Sequence, residues 1–366
     1  MIRVLHVVTT MNMGGIENFI MNYYRHIDRS KVQFDFLTHR SEKGYFDDEI
    51  EQLGGRIFHV PAINPFHHFS YLKALKEFFK DHPEYKIVHS HINTFSMFVL
   101  REAKRAGVPV RISHSHATTT KIDLKTPFRY YTKKKLTNYS TDNFACSDKA
   151  GKWLFGNKEF TFFPNSIDTE QFKYDLSTRN EVRTQLGVEN NLVLGCVANF
   201  SPIKNHSFLI DVFKRVKENI PEAKLVLVGD GAERENIEKK AAELNLTDSV
   251  LLLGIRKDVS RLYQAFDEFL LCSISEGFPV SVLEAQTSGL ACVLSSGVPR
   301  DVCVCDNISF LNINSTESIS EWSEKIIEYS RLKRKDNSSE IIKNGYDIND
   351  SAKKLERIYL SKTVGE

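Results

Sequence analysis

The chain has 366 residues, 41% of them hydrophobic and 26% charged, which is the balance of a soluble globular protein with about two domains. Six cysteines in this length exclude a disulfide scaffold, and Cys146, Cys196, Cys272 and Cys292 lie in or beside apolar runs where buried thiols are expected. Because no apolar run reaches about 18 residues and no signal-peptide pattern opens the chain, we expect a cytoplasmic protein that does not span a membrane.

The net charge of +2 hides an uneven distribution of charge along the chain. Residues 1–165 carry 24 Lys and Arg against 16 Asp and Glu, whereas the remainder carries 25 against 31. A basic first half favours an anionic partner such as a membrane surface. Nucleic acid is not expected as a partner, because the basic character is local and no nucleic-acid-binding motif accompanies it.

Strand and helix patterns alternate along the first half of the chain. Strands are predicted at 2–8, 34–37, 56–60, 86–89, 109–114, 142–147 and 160–163. One helix is predicted to begin at residue 14, and further helices are predicted at 45–53, 69–79, 94–106 and 148–155. This alternation predicts a parallel, doubly wound sheet in an α/β domain.

A glycine pair follows the first predicted strand. Gly14 and Gly15 stand where the loop opens into a helix, so a ligand could approach the backbone and the positive end of the helix dipole. The third glycine of the dinucleotide fingerprint is missing. A plain tight turn explains the pair equally well, and both interpretations stay open.

Two predicted strands end in His-Ser-His, at 89–91 and 114–116. The two histidines of each motif point to the same side of the sheet. Three interpretations are open: a metal site of up to four imidazoles, a histidine that lines an active-site cleft, and histidines that are hydrogen-bonded to one another. No carboxylate lies beside either motif, and such metal sites usually need one, so a metal is not expected.

Residues 121–139 form the most basic stretch of the chain. Lysine and arginine alternate there with aromatic residues, notably at Lys121, Lys125, Phe128, Arg129, Tyr130, Tyr131, Lys133, Lys134, Lys135 and Tyr139. Such a segment can lie on an anionic bilayer, or it can be a solvated helix with one face in the core. Both interpretations remain.

A polar run from Pro164 to Phe172 marks a domain boundary. We therefore expect a first domain at 1–165, a second at 166–345, and a C-terminal helix within 346–366 that packs back towards the first domain. In the second domain, strands are predicted at 192–198, 223–229, 249–254, 268–272 and 291–294. One helix is predicted to end at residue 216, and further helices are predicted at 259–266, 280–289 and 317–330.

The stretch after the predicted strand at 268–272 has the composition of a ligand-binding turn. Glu276 stands at the carboxyl end of the strand, and Glu284 falls on the following helix. Ligands bind at such strand ends, and the amides at a helix start attract phosphate. Lys204 begins another helix, where a bound phosphate would offset its unfavourable interaction with the helix dipole. Exposed glutamates on an ordinary strand–loop–helix are the alternative.

Three motifs occur in a fixed order: Val228-Gly229-Asp230-Gly231, Gly254-x-Arg256-x-Asp258-Val259 and Glu276-x7-Glu284. With them the chain resembles the retaining glycosyltransferases of family 4 over nearly its whole length, including the early glycine pair, the His-Ser-His at 114–116 and the linker at 164–168. The resemblance implies the GT-B fold, in which two Rossmann-like domains with parallel sheets face across a cleft. It is strongest to bacterial enzymes that build capsule, exopolysaccharide or O-antigen chains on a lipid carrier.

The resemblance implies a role for each matched residue on the donor side. Amides at Gly14 and Gly15 would meet the β-phosphate of a nucleotide sugar, and Lys204 would pair with the pyrophosphate. Glu284 would hold the ribose hydroxyls, and Glu276 would bind hydroxyls of the transferred sugar. Further donor contacts are implied at Asn199, at Gly229, at the nucleobase-binding loop of Arg256, and at the backbone of Gly277, Phe278, Pro279, Val280 and Ser281.

The resemblance also implies a catalytic group and an acceptor side. His116 would lie beside the sugar and the acceptor, with His114 in that place if the register differs by two residues. Glu17 is assigned to the acceptor side, and His116, Lys204 and Glu276 are the implied catalytic residues.

Asn199 departs from the family pattern. The family usually has arginine five residues before the lysine that corresponds to Lys204, and asparagine supplies neither the charge nor the forked donors of arginine. Either another cation compensates, or the donor is held more weakly.

The activity implied is that of a metal-independent hexosyltransferase without a cofactor. It would move a hexose or an N-acetylhexosamine, with retention, from a nucleotide sugar to a hydroxyl of a lipid-linked saccharide. UDP is the expected nucleotide, and the expected location is the cytoplasm or the inner face of the cell membrane. The alternatives are a sugar-nucleotide epimerase of the same fold and an inactive partner subunit that binds the donor.

Overall fold

The computed structural model describes residues 1–63, 69–117 and 126–363 in full, and the backbone alone at His68. The chain divides into two compact units. Met1–Ser166 and Ile348–Glu366 form the first unit, and Ile167–Asp347 forms the second. The boundary between them lies one residue beyond the one that the sequence predicts, and the chain returns to the first unit at its last helix.

In the described part of the first unit, seven parallel strands form a sheet with the order β3-β2-β1-β4-β5-β6-β7. The strands are β1 (Ile2–Val8), β2 (Val32–Thr38), β3 (Ile57–His59), β4 (Ile87–Ser90), β5 (Val110–Ser115), β6 (Asp142–Ala145) and β7 (Thr161–Phe162). β1 pairs with β4 so that His6 lies opposite His89. The strand order reverses between β1 and β4, which defines a switch point at the sheet's carboxyl edge.

Helices cover both faces of this sheet. They are α1 (Gly15–His26), α2 (Asp47–Gln52), α3 (His68–Asp81), α4 (Ser96–Arg105), α5 (Thr126–Leu136), α6 (Asp148–Phe155) and α15 (Ile348–Thr363). One apolar cluster contains residues of α1 and α15, and a second contains residues of α3 and α4. Ser147 caps α6 by accepting from the amide of Ala150 at 3.1 Å, as the sequence predicts.

In the second unit, six parallel strands form a sheet with the order β10-β9-β8-β11-β12-β13 among the residues described. The strands are β8 (Val193–Val197), β9 (Lys224–Val228), β10 (Val250–Leu252), β11 (Glu268–Leu271), β12 (Ala291–Ser295) and β13 (Ile308–Leu311). The order reverses between β8 and β11, so the second unit also has a switch point at its carboxyl edge.

The helices of the second unit surround one apolar core. They are α7 (Thr169–Phe172), α8 (Leu176–Leu186), α9 (His206–Asn219), α10 (Arg234–Glu243), α11 (Val259–Ala265), α12 (Val280–Thr287), α13 (Thr316–Tyr329) and α14 (Ser338–Lys343). The two units confirm the predicted α/β class with two parallel, doubly wound sheets. No helix among the described residues has the length and apolar content that crossing a bilayer requires.

Candidate functional site

The switch point of the second unit brings together the residues that the sequence singles out there. Asn199 and Lys204 follow β8, and Glu276 follows β11, its neighbour in the sheet. Since ligands of doubly wound sheets bind at such positions, this edge is the candidate site of the unit.

Lys204 and Glu276 form an ion pair at this edge. The Nζ atom of Lys204 lies 2.5 Å from Oε1 of Glu276, and the two side chains are only 18% and 10% exposed. The Ser273 hydroxyl donates to the same carboxylate oxygen at 2.5 Å. The cation assigned to pyrophosphate and the carboxylate assigned to the sugar therefore hold each other in place before any ligand arrives.

Glu284 lies on α12, four residues after the helix begins. The hydroxyl of Tyr263 donates to Glu284 Oε2 at 2.8 Å and stabilises the carboxylate. The surrounding protein nevertheless withdraws water from the group, and this desolvation raises the pKa of Glu284 to about 7. The Glu284 carboxyl is partly exposed, so hydroxyl groups of a ligand such as a ribose can donate to it and stabilise its charged form.

The backbone between Glu276 and α12 forms the remaining part of this turn. The N-cap residue Pro279 provides no side-chain bond to the helix, so the first-turn amides of Val280 and Ser281 are available to a ligand. Pro279 itself has no N–H and cannot donate, which corrects its assignment as a donor amide. The ring of Phe278 stacks on Tyr346 at 5.7 Å between centroids.

Gly229 owes its identity to packing. Its φ of +140° belongs to glycine, and a Cβ there would lie 2.0 Å from the carbonyl oxygen of Ala198. The Gly229 amide donates to the Gly254 carbonyl at 2.9 Å. The loops after β8, β9 and β10 thereby converge at one edge.

Arg256 and Asn199 are the two exposed polar residues at this edge whose roles depend on the resemblance. Arg256 forms a bidentate pair with Asp258 at 2.6 and 2.8 Å, next to the exposed Ile255. Asn199 accepts a hydrogen bond from the Ser201 hydroxyl at 2.9 Å. A ligand can reach both side chains.

The glycine pair of the first unit lies at the start of α1. Gly14 is the N-cap in extended conformation, and Glu17 folds back over it, so that a Cβ on Gly14 would meet Oε2 of Glu17 at 2.3 Å. Burial raises the pKa of the Glu17 carboxyl. Open space surrounds Gly15. A carboxylate therefore already occupies the helix start, and a phosphate bound there would have to displace it.

Five histidines lie together at the carboxyl ends of β1, β4 and β5. His6 Nδ1 lies 3.0 Å from His91 Nε2, and His91 Nδ1 lies 2.9 Å from His116 Nε2. In parallel, His89 Nε2 lies 3.1 Å from His114 Nδ1. All four predicted histidines are thus hydrogen-bonded. His6 is an additional member that the His-Ser-His motifs do not indicate; it lies within the neighbouring strand β1, directly opposite His89.

Burial keeps these imidazoles neutral. It lowers the pKa of His6 and of His116 to about 3. It also lowers the pKa values of His89, His91 and His114 far below the ordinary value, and the neighbouring imidazoles lower them further. His114 is fully buried, whereas part of His116 reaches the surface, so His116 is the histidine of this motif that can touch a ligand.

Two trios of these histidines could bind a metal by distance alone. The trios are His6 with His89 and His91, and His91 with His114 and His116, and the ligand atoms within each lie within 4.8 Å. Neither trio includes a carboxylate, and three contacts among the five rings, together with the contact of His89 with the Tyr359 hydroxyl, have hydrogen-bonding distances. The geometry favours the hydrogen-bonded interpretation.

A cavity of about 360 Å³ opens at the carboxyl ends of β1, β2 and β4. Its lining includes Arg40, His91, Asn93, Arg129 and Trp153. Both charged side chains of the described lining are arginines, so the cavity is suited to an anionic ligand.

The basic stretch is described from residue 126 onwards, and Lys121 and Lys125 lie outside the described residues. Helix α5 buries Thr132 and Leu136 on one face. Its other faces expose Tyr130 and Tyr131, at 70% and 55%, among the lysines. One face in the core and an aromatic, basic outer surface therefore exist on the same helix.

Two protein-family models match the chain. The model described as Glycosyltransferase Family 4 matches residues 13–171, and the model described as Glycosyl transferases group 1 matches residues 178–348. The first match lies mainly in the first unit of the structure and the second mainly in the second unit.

Two curated relatives match over nearly their full length. The protein EpsF of Bacillus subtilis (strain 168) is 35% identical over 373 residues, which span 98% of this chain and 96% of EpsF. The UDP-Gal:α-D-GlcNAc-diphosphoundecaprenol α-1,3-galactosyltransferase of Escherichia coli is 25% identical over 100% of this chain and 98% of its own length.

Among solved structures, that of Anabaena HepE in complex with UDP has a similar fold. Its TM-score is 0.81 at 19% identity, and the alignment covers 99% of this chain and 100% of HepE. The likeness supports the GT-B fold implied by the sequence.

Proposed function

The chain belongs to glycosyltransferase family 4, and we propose that it moves a hexose or an N-acetylhexosamine from a UDP-sugar to a hydroxyl of a lipid-linked saccharide. The observation that carries this proposal is the edge of the second unit where Lys204 pairs with Glu276 and Glu284 lies on the adjoining helix. A nucleotide sugar offers a pyrophosphate to a cation and hydroxyls to carboxylates, and this edge holds both kinds of partner.

The E. coli relative supports the choice of substrates. Its name specifies UDP-galactose as donor and a saccharide on diphosphoundecaprenol as acceptor, and it aligns with all of this chain. We infer the same classes of donor and acceptor here, in the synthesis of a surface polysaccharide. The cavity with Arg40 and Arg129 is suited to the anionic part of such an acceptor.

The chemistry that we propose needs stabilisation of charge on a leaving nucleotide diphosphate. Lys204 and the first-turn amides of α12 would neutralise that charge, and the acceptor hydroxyl would pass its proton to a phosphate oxygen of the leaving group. The acceptor would attack from the face that the diphosphate leaves, so the product would keep the configuration of the donor.

We expect removal of metal ions to leave turnover unchanged. In the proposed mechanism Lys204 and backbone amides do the work that a divalent cation does elsewhere, and the histidines are hydrogen-bonded to one another. Turnover of the chelator-treated, dialysed protein would be compared with that of the untreated protein. Loss of activity that Zn²⁺ restores would contradict a metal-independent reaction and would point to the histidine trios.

We further propose that α5 contacts an anionic membrane. The exposed tyrosines can insert at the level of the lipid headgroups, and the adjacent lysines Lys133, Lys134 and Lys135 attract anionic lipid. A peripheral position on the inner face of the cell membrane would bring the enzyme to a lipid-linked acceptor.

Replacing Lys133, Lys134 and Lys135 together with glutamine should release the protein from anionic vesicles. Each lysine near the surface contributes about 1 kcal/mol, so the three together should weaken binding on the order of 100-fold. Sedimentation with vesicles rich in an anionic lipid measures this. The matched control replaces Lys73, Lys76 and Lys80, three exposed lysines of α3. Equal binding of both triple variants would reject α5 as the membrane face.

A thermal-shift panel of nucleotide sugars tests the donor site. A ligand that binds the folded chain raises its melting temperature by mass action. We expect a shift with at least one UDP-sugar, followed by transfer only when an acceptor is present. Free nucleotide with an altered sugar in the absence of acceptor would instead indicate an epimerase. Binding without any turnover would indicate an inactive partner subunit. The exposed Asn199, which stands where the family usually has arginine, makes this a specific alternative.

A further inference from the structure

Three imidazoles of the first unit form a single hydrogen-bonded chain that ends at His116. His6 Nδ1 contacts His91 Nε2 at 3.0 Å, and His91 Nδ1 contacts His116 Nε2 at 2.9 Å. At the inner end, His6 Nε2 is buried and has no hydrogen-bond partner among the described residues. At the outer end, His116 reaches the surface. The chain therefore connects a closed interior to a ligand-accessible ring.

The positions of the hydrogens in this chain are coupled. A neutral imidazole carries one hydrogen, on either ring nitrogen, and each nitrogen–nitrogen contact needs one hydrogen. Because all three rings are neutral, only two arrangements satisfy both contacts. Either His6, His91 and His116 all carry their hydrogen on Nδ1, or all three carry it on Nε2.

The two arrangements differ at the inner end. With the hydrogens on Nε2, His6 would bury an N–H without an acceptor, since its ring packs against Phe34 at 4.1 Å and Phe36 at 5.9 Å between centroids. With the hydrogens on Nδ1, His6 Nε2 keeps only a lone pair. Buried N–H groups without a partner are rarer in proteins than unpaired acceptors, which favours the Nδ1 arrangement.

We propose that His6 and His91 are positioning residues that hold His116 with its hydrogen on Nδ1, so that His116 acts in sugar transfer as a hydrogen-bond donor. The inference rests on the proposed function of the chain. In this arrangement the Nε2 lone pair of His116 already accepts from His91. His116 then has no lone pair left to take a proton from the acceptor hydroxyl, and it can only donate to an oxygen of the sugar or the acceptor.

His89 and His114 form a second chain of imidazoles. The positions of the hydrogens in this chain are not fixed in the same way, so it provides a control. His89 Nδ1 lies 2.6 Å from the Tyr359 hydroxyl, which can donate or accept, and His89 Nε2 contacts His114. In either direction, this chain leaves one hydrogen without a partner among the residues that the structure describes, on His114 or on Tyr359. Changes at His89 should therefore leave the hydrogen on His116 where it is.

Nuclear magnetic resonance reads the positions of the hydrogens directly. In the full chain labelled with ¹⁵N-histidine, long-range ¹H–¹⁵N correlations distinguish a protonated from a bare ring nitrogen, and single substitutions assign the signals. We expect His6, His91 and His116 all to carry hydrogen on Nδ1. Hydrogen on Nε2 in all three would overturn the proposed direction, and a mixed pattern would overturn the coupling. This readout needs no substrate, so it stands apart from the success or failure of the proposed function.

Substitution of His91 adds a kinetic readout. His91→Leu should release the His116 ring, move its hydrogen towards Nε2, and lower kcat about tenfold or more with little change in KM, as for a misoriented catalytic group. His91→Asn keeps an amide donor near the position of Nδ1 and should restore most of the rate and the Nδ1 hydrogen, while His89→Leu should leave that hydrogen unchanged. An unchanged hydrogen position and rate in His91→Leu would overturn the proposal.

Discussion

Lys204→Ala should lower kcat by about 100-fold or more, the scale of losing one preorganised group that stabilises charge in the transition state. Lys204 is the cation that the structure places against Glu276 at the switch point of the second unit. The donor diphosphate gains negative charge as its bond to the sugar breaks, so the loss should appear mainly in kcat rather than in KM. Steady-state kinetics with saturating donor would measure it.

The control for this variant separates catalysis from stability. Removal of Lys204 leaves the Glu276 carboxylate with Ser273 as its remaining side-chain partner within the described part of the chain, so thermal unfolding must be measured on the same sample. Lys239→Ala, at an exposed position of α10, changes a charge in the same unit away from this edge. If Lys204→Ala and Lys239→Ala retain similar turnover while both are folded, the assigned role of Lys204 is wrong.

Glu284→Ala should abolish measurable donor binding. The carboxylate of Glu284 would accept both ribose hydroxyls, and loss of a charged acceptor for two donors costs about 1.5–3 kcal/mol per hydrogen bond, or at least tenfold in affinity for each. Glu284→Gln keeps one acceptor and should fall between the wild type and alanine. Calorimetric titration with the UDP-sugar found in the thermal-shift panel provides the affinities.

The same residue predicts a dependence on pH. Because the pKa of Glu284 is raised to about 7, donor affinity should increase as pH rises from about 6 to 8 and the carboxyl ionises. The stability of the ligand-free protein should change in the opposite sense. The folded state binds more protons than the unfolded state between the ordinary pKa and about 7, so the contribution of Glu284 falls as pH rises through that window.

Glu284→Gln should remove both of these pH dependences, whereas Glu235→Gln, at an exposed position of α10, should leave them intact. Melting temperatures and affinities across this pH range would show the difference. A donor affinity that rises equally in Glu284→Gln would mean that another group titrates, and the ribose assignment would then fail.

The regular elements that carry apolar periodicity could be predicted from the sequence. Strands such as β1 and β11 consist mostly of apolar residues, and helix α6 matches its predicted bounds with Ser147 as its cap. The spacing of apolar residues and the identity of a capping residue are local properties of the sequence. The elements that they predict are therefore kept in the folded chain. They also suffice for the α/β class, because alternating strands and helices have few ways to pack.

The missed elements have weak patterns for physical reasons. Helices α8 and α10 are largely polar and bury only two residues each, so their sequences lack the apolar stripe from which a helix is predicted. Strand β13 is a partly exposed edge strand of four residues. Elements of this kind are held by packing against the rest of the unit, which a local pattern does not contain.

The candidate sites also depend on contacts between residues that are far apart in the sequence, and local patterns do not predict such contacts. Lys204 and Glu276 are 72 residues apart, and only the order of the strands brings β8 next to β11. The histidine motifs indicated four rings, but the pairing of His91 with His6 depends on β1 lying beside β4. The sequence therefore indicated residues that lie at the second unit's edge, and the fold determines which of them touch.

Sugar transfer by the purified chain is the most direct test of the proposed function. The protein would be incubated with a panel of UDP-sugars and a saccharide linked through diphosphate to a polyprenyl lipid, and the lipid product would be analysed by mass spectrometry. The proposed function predicts a product heavier by one hexose or one N-acetylhexosamine, absent in Glu284→Ala and strongly reduced in Lys204→Ala. Transfer that persists undiminished in both variants, or no transfer from a nucleotide sugar that demonstrably binds, would contradict it.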